Sequence, residues 1–366
     1  MNTAPTMAGP SPIAALRDAS PYSAPTAAEG IDLRLDANEG PALPIDTGAL
    51  LARAARTEAL RRYPSVEGLR SLVAERAGIT PQRVAITAGG DDAIDRLCRS
   101  VLAPGREIIL TPPTFEMFER YAALAGATVT RVPWGLAGPA SWAFPTDAVL
   151  SRVSDRTAAI AIVAPNNPTG LCVTPDAVRR ISTGAPRTLI ILDLAYAEFD
   201  DADLQTTALG LPNVVCVRTF SKAWGLAGLR VGYALGPEPI IRWARAAGGP
   251  YPVSGLSAEA ARLALETLSD RVAASVARVR LERERLTEAL AARGLAPWTS
   301  HANFVTTGAD GNPSGLDPAG HLARRGIAVR TWAARPDLPP GSARITCPGD
   351  DAAFERLVTA IREFTP

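Results

Sequence analysis

Six short apolar runs punctuate the chain between residues 83 and 235: Val84 to Thr87, Glu107 to Leu110, Thr157 to Val163, Thr188 to Leu192, Val214 to Val217 and Leu229 to Ala234. Stretches with helical patterning separate each from the next. Runs this short, rich in β-branched residues and apolar at consecutive positions, suit strands buried on both faces, whereas an amphipathic surface strand would alternate. A buried helix segment is the competing reading of any one run, and length argues against it. Strands alternating with helices predict an α/β fold: a mostly parallel sheet sandwiched by helices.

After Pro250 the texture changes. A helical stretch runs from about Ser257 to Arg293 and stops at Gly294. A strand follows around Asn303 to Thr307, then a helix ending at Gly326, strands at Ile327 to Thr331 and Ala343 to Thr346, and an amphipathic helix from Asp351 to Phe364. This is a smaller α+β unit. The expected organisation is a flexible N-terminal arm over residues 1–30, a large domain over 45–248, and a small domain built from 31–44 and 249–366. The arm is rich in Ala, Pro, Ser and Thr without a period.

Several function classes drop out on composition. Lys plus Arg total 38 against 37 Asp plus Glu, a net charge of +1, so no basic footprint for nucleic acid is present. Apolar runs such as Thr188 to Leu194 fall far short of the roughly 20 residues that cross a bilayer, and no basic-then-apolar leader opens the chain, which reads as cytoplasmic. Four scattered cysteines and two histidines, His301 and His321, form no metal-ligand spacing, so no metal is expected.

One detail of the basic total carries more weight. Of the 38 basic residues a single one, Lys222, is lysine and the other 37 are arginine. Coding bias toward arginine explains the 37; drift could explain the survivor. A guanidinium cannot practically lose its proton, however, while an amine can, and can then attack a carbonyl to form a Schiff base. The neighbourhood supports the chemical reading. Lys222 lies in Arg218-Thr-Phe-Ser-Lys-Ala-Trp-Gly-Leu-Ala-Gly-Leu-Arg-Val-Gly232, just past a predicted strand end, where α/β sheets place ligands. Ser221 and Arg230 offer phosphate donors beside it. Upstream, Gly89, Gly90 and Asp91 follow a strand and open a helix, a second anion site, although a plain turn explains those glycines as well. Asp193 ends the most hydrophobic strand, where a carboxylate needs a cationic partner. Tyr196 adds a phenol and Asn167, in Pro165 to Gly170, an amide. A Schiff-base lysine, two phosphate turns, a buried acid, a phenol and an amide together complement pyridoxal 5′-phosphate, an electron sink whose pyridinium a carboxylate keeps protonated.

The chain resembles the fold-type I, class I/II aminotransferases, most closely their histidinol-phosphate aminotransferase branch. The resemblance covers most of the chain, in order: Leu35 to Pro41, Tyr63-Pro64, Gly68 to Arg70, Gly89 to Asp92, Pro113 to Met117, Pro165 to Gly170, Asp193 to Tyr196, Arg218 to Gly232, Pro250 to Ser254, Asn303 to Val305 and Arg344 to Thr346. It implies that Lys222 forms the Schiff base and shuttles the substrate proton, that Asp193 pairs with the pyridine nitrogen, and that Asn167 and Tyr196 bond the ring 3-oxygen. Gly90, Asp91, Ser221 and Arg230, with the partner subunit's Tyr63 in a homodimer, would hold the phosphate, and Phe115 would stack on the ring. Arg344 would clamp the substrate carboxylate; Asn38, Tyr22 and Arg330 would line the substrate side, the last two near a distal phosphate. Substrates implied are an amino acid or amino-acid phosphate and a 2-oxo acid, with L-histidinol phosphate and 2-oxoglutarate passing an amino group by ping-pong turnover. Departures at Leu194, Phe115 and Phe118, where the family favours polar residues, keep two alternatives open: an aromatic or secondary-metabolite aminotransferase, and a lyase on the same scaffold such as a threonine-phosphate decarboxylase. Trp134, Trp142 and His301 read as packing or surface residues.

Overall fold

The computed structural model describes residues 13–16, 29–42, 46–55, 61–135, 143–202, 204–308, 317–332 and 335–365. Tyr22, Trp142 and most of the expected N-terminal arm lie outside the described residues.

The strands in chain order are β1 (Leu33–Leu35), β2 (Val84–Thr87), β3 (Glu107–Leu110), β4 (Thr128–Arg131), β5 (Thr157–Val163), β6 (Leu189–Asp193), β7 (Val214–Thr219), β8 (Gly232–Leu235), β9 (Phe304–Thr307), β10 (Ile327–Thr331) and β11 (Ala343–Thr346). Seven form one sheet in the order β2-β8-β7-β6-β5-β3-β4. All are parallel except β8, which runs antiparallel between β2 and β7. The sheet is buried on both faces, and the two-residue period of a strand sorts its side chains accordingly. Ile190 and Leu192 of β6 and Val214 and Cys216 of β7 enter one core cluster. Their neighbours Leu189, Ile191, Val215 and Val217 enter the cluster on the opposite face.

The run expected from Leu229 starts as a strand only at Gly232. Ala227–Leu229 is a turn of 3-10 helix, and Arg230 follows it in the left-handed region at φ 52. The β4 and β1 strands were not expected: β4 is a half-exposed edge strand, and β1 is three residues long. Neither has the continuous apolar run of a doubly buried strand.

The remaining four strands make a second sheet in the order β1-β10-β11-β9. Strands β1 and β10, from opposite ends of the chain, pair parallel in the register Leu33 with Ile327, Arg34 with Ala328 and Leu35 with Val329. The β10–β11 and β11–β9 pairs are antiparallel.

The helical stretch after Pro250 is two helices, Gly255–Thr267 and Ser269–Ala291, broken at Leu268. The first lies against the helices Thr47–Ala54 and Glu67–Arg76, and the second against Asp351–Arg362. No helix among the described residues is long and apolar enough to cross a membrane. The parallel strands β2, β3, β5, β6 and β7 all end on the same edge of the large sheet, so the segments that follow them converge there.

Candidate active site

A cavity of about 500 Å³ opens at that edge. Its wall gathers Gly90 and Asp91 after β2, Phe115 after β3, Asn167 after β5, Asp193 and Tyr196 at the end of β6, and Ser221, Lys222 and Arg230 after β7. The second sheet contributes Arg330 from β10 and Arg344 from β11, and Asn38 comes from the segment after β1. Two expected residues stand apart. Gly89 does not line the wall; its φ of 82 is the conformation that favours glycine, and a Cβ there would come within 2.8 Å of the movable Arg230 guanidinium. Tyr63 is 80% exposed and stacks on Tyr251 with ring centroids 4.5 Å apart, away from the cavity of its own chain.

Lys222 is held by a segment distant in the chain. Its Nζ donates to the Asn38 carbonyl at 2.6 Å and stands 5.5 Å from the Tyr196 ring centroid. Burial, helped by the positive field of Arg344, lowers the amine to about 8. Asn38 adopts φ 58, tolerable for asparagine, and its side chain serves twice more. Nδ2 donates to the Tyr196 hydroxyl at 2.8 Å, and Oδ1 accepts from Thr346 at 3.0 Å. The segment is pressed so close that a Cβ on Gly40 would stand 1.7 Å from the Lys222 carbonyl oxygen.

Asp193 is 5% exposed and receives a hydrogen bond from the Ala195 N–H at 3.0 Å. Burial pushes its carboxyl up to about 7, with the nearby Asp91 acting the same way. Among the described residues it forms no salt bridge. Burial likewise pushes the Tyr196 phenol up to about 12, so it keeps its proton. Leu194, between them in the chain, is fully buried in the core, which explains why an apolar residue is accepted there.

The N-terminus of helix Gly89–Val101 faces this cavity through Gly90 and Asp91. Ser221 accepts a hydrogen bond from Thr219 at 2.9 Å, and Arg230 reaches toward Ser221 and Asp91 at 3.5 and 3.4 Å. Arginine at a left-handed φ is strained, and strain of this kind persists where surrounding contacts enforce it, often at functional sites. Helix N–H groups, a hydroxyl and a guanidinium could together hold an anion.

Arg344 donates to Asn167 Oδ1 at 2.6 Å and to the Asp36 carbonyl at 3.0 Å. Directly across the antiparallel pair stands Arg330. Like charges directly opposed on a sheet are destabilising, and the Arg330 guanidinium has no hydrogen bond or ion pair to a described residue. The pair could therefore receive a second anion. Trp332 and Arg335 also line the cavity, together with Glu39 and Glu116. Sequence reasoning missed these four: Trp332 and Arg335 belong to no motif, and Glu39 and Glu116, although inside the segments Leu35 to Pro41 and Pro113 to Met117, carry no pattern that marks them before the fold brings them to the wall. Trp134 is buried with its ring edge on Phe144, and His301 pairs with Asp200 at 2.8 Å and does not line the cavity.

The model of the family "Aminotransferase class I and II" matches residues 31–361. A histidinol-phosphate aminotransferase of Dinoroseobacter shibae is 35% identical over 345 residues, 92% of each chain. An aromatic amino acid aminotransferase of Corynebacterium efficiens is 33% identical, covering 90% of this chain and 93% of its own. The crystal structure of a histidinol-phosphate aminotransferase from Sinorhizobium meliloti in complex with pyridoxal-5′-phosphate superposes with a TM-score of 0.79 at 26% identity, covering 91% of this chain and 90% of the other.

Proposed function

The chain belongs to the class I and II aminotransferases, and from that membership and the geometry of the cavity we propose that it is a pyridoxal-phosphate-dependent histidinol-phosphate aminotransferase. It would pass the amino group of L-histidinol phosphate to 2-oxoglutarate, acting as a cytoplasmic homodimer. The division into a large domain over 45–248 and a small one from 31–44 with 249–366 is part of the same reading.

The residues present fit the cofactor. Asp193 is a buried acid without a salt-bridge partner among the described residues, and a protonated ring nitrogen supplies one. Gly90, Asp91, Ser221 and Arg230 would hold the phosphate, with the Tyr63 of a second copy completing the site; its exposure in the single chain supports that assignment. Phe115 would cover the ring face. Asn167, whose Oδ1 is committed to Arg344, keeps its Nδ2 for the ring oxygen, and Tyr196, whose oxygen accepts from Asn38, keeps its hydroxyl proton for the same atom. When bound, the cofactor supplies an aldehyde and a protonated ring that withdraws the electron pair left at the substrate Cα.

Lys222, brought near neutrality by burial, is the nucleophile and then the base that removes and returns the proton at the substrate Cα. The Asn38 carbonyl orients its amine. Arg344 and Arg330 anchor the substrate anion, and Tyr22 would join them.

The observation that carries the choice of donor is the opposed Arg330–Arg344 pair, in which the Arg330 fork is uncommitted among the described residues. Two guanidiniums match a dianionic phosphate better than a single carboxylate. Phe115 and Trp332 on the wall favour an aromatic donor as the second reading. The test is the absorbance of the bound cofactor as L-histidinol phosphate, L-phenylalanine and L-threonine phosphate are added singly. A spectral change with histidinol phosphate that 2-oxoglutarate reverses supports the proposal. A reversible change with phenylalanine alone selects the aromatic reading, and carbon dioxide release from threonine phosphate selects the lyase. The free thiols of Cys98, Cys172, Cys216 and Cys347 support a reducing compartment.

A further inference from the structure

Glu116 on the cavity wall has no part in the chemistry described above. Its carboxylate forms no hydrogen bond or ion pair with a described residue. The neighbouring cation does not neutralise it. Arg335 gives its fork to Asp337 at 2.9 and 3.0 Å and donates to the Thr114 carbonyl at 2.7 Å, which ties the segment after β10 to the one that carries Glu116. That segment is anchored. Thr114 donates to Asn166 at 2.9 Å, Asn166 donates back to the Pro113 carbonyl at 2.8 Å, and Glu116 itself opens the helix Met117–Leu124. An unpaired carboxylate thus stands on an anchored segment of the wall, which also carries the aromatic side chains of Phe115 and Trp332.

We propose that Glu116 selects the substrate side chain, accepting a hydrogen bond from an N–H on a flat ring that lies against Trp332, and so favours an imidazole over a phenyl group. The proposal deepens the histidinol-phosphate reading and rests on it. A phenyl ring offers the carboxylate no donor and costs it hydration.

The test uses ligands that lack an amine and therefore cannot react: 3-(imidazol-4-yl)propionate and 3-phenylpropionate, titrated calorimetrically into the cofactor-loaded protein. The wild type is expected to favour the imidazole compound. Glu116→Ala and Glu116→Gln are expected to reduce that preference about 10- to 100-fold, the usual range for a hydrogen bond to a charged group. Because Glu116 is exposed, neither substitution disturbs the core. A preference that stays within about twofold of wild type in both variants overturns the proposal. Turnover separates the two readings: if histidinol phosphate does not react with the wild type, the donor assignment fails while the binding ratio still judges Glu116; if it reacts and the ratio does not move, only the role of Glu116 fails.

Discussion

Replacing Asp193 by asparagine should make the cofactor-free protein more stable at neutral pH while disabling the enzyme. Burial raises this carboxyl from its ordinary 3.8 to about 7. At about 1.4 kcal/mol per pH unit, the difference corresponds to about 4 kcal/mol of folding free energy. The direction follows from the raised value: the contribution is fully present below about 4, where both folded and unfolded forms are protonated, and it is lost as pH rises toward 7, because the unfolded chain ionises freely and the buried group resists. Water in the cavity screens the charge, so about 2 to 4 kcal/mol is the expected loss. Asparagine has the same shape and no proton to lose. Urea denaturation of the cofactor-free proteins between pH 5 and 8 measures the difference: wild type should lose stability across that window relative to Asp193→Asn, which should be the more stable protein at pH 8. With cofactor the order should reverse, since the ring nitrogen then pairs only with the carboxylate. Parallel stability curves for the two cofactor-free proteins would refute the claim that Asp193 is a buried acid awaiting a cation.

Lys222→Arg should retain the fold and lose turnover by on the order of a thousandfold or more, measured by circular dichroism and by steady-state assay, because a guanidinium keeps the charge and cannot act as the nucleophile. With the Lys222 amine at about 8, the rate of covalent cofactor capture by the cofactor-free protein should fall about fivefold from pH 8 to 7 and about tenfold more from 7 to 6, followed by stopped-flow absorbance. Arg230→Ala should weaken cofactor binding by about 10- to 100-fold, read by titration, through loss of a charged phosphate donor.

The alternation of buried strands and helices, the chemistry of a lone lysine at a strand end and an acid closing the most apolar strand are properties of short segments, and they were legible in the sequence. The same holds for the glycines that open helix Gly89–Val101, since a parallel sheet delivers every strand end to one edge. Edge strand β4 and the short β1 lacked a pattern of their own and took their structure from pairing with β3 and β10. What tertiary structure alone decided are the contacts across long separations: the Asn38 carbonyl on Lys222, Arg344 on Asn167, Arg330 opposite Arg344, and the meeting of Glu116 with Trp332 and Arg335 on one wall. Local sequence specifies which groups a segment carries. The shifts that bring Lys222 to about 8 and Asp193 to about 7 arise from burial by segments distant in the chain, a property that exists only once those segments have packed.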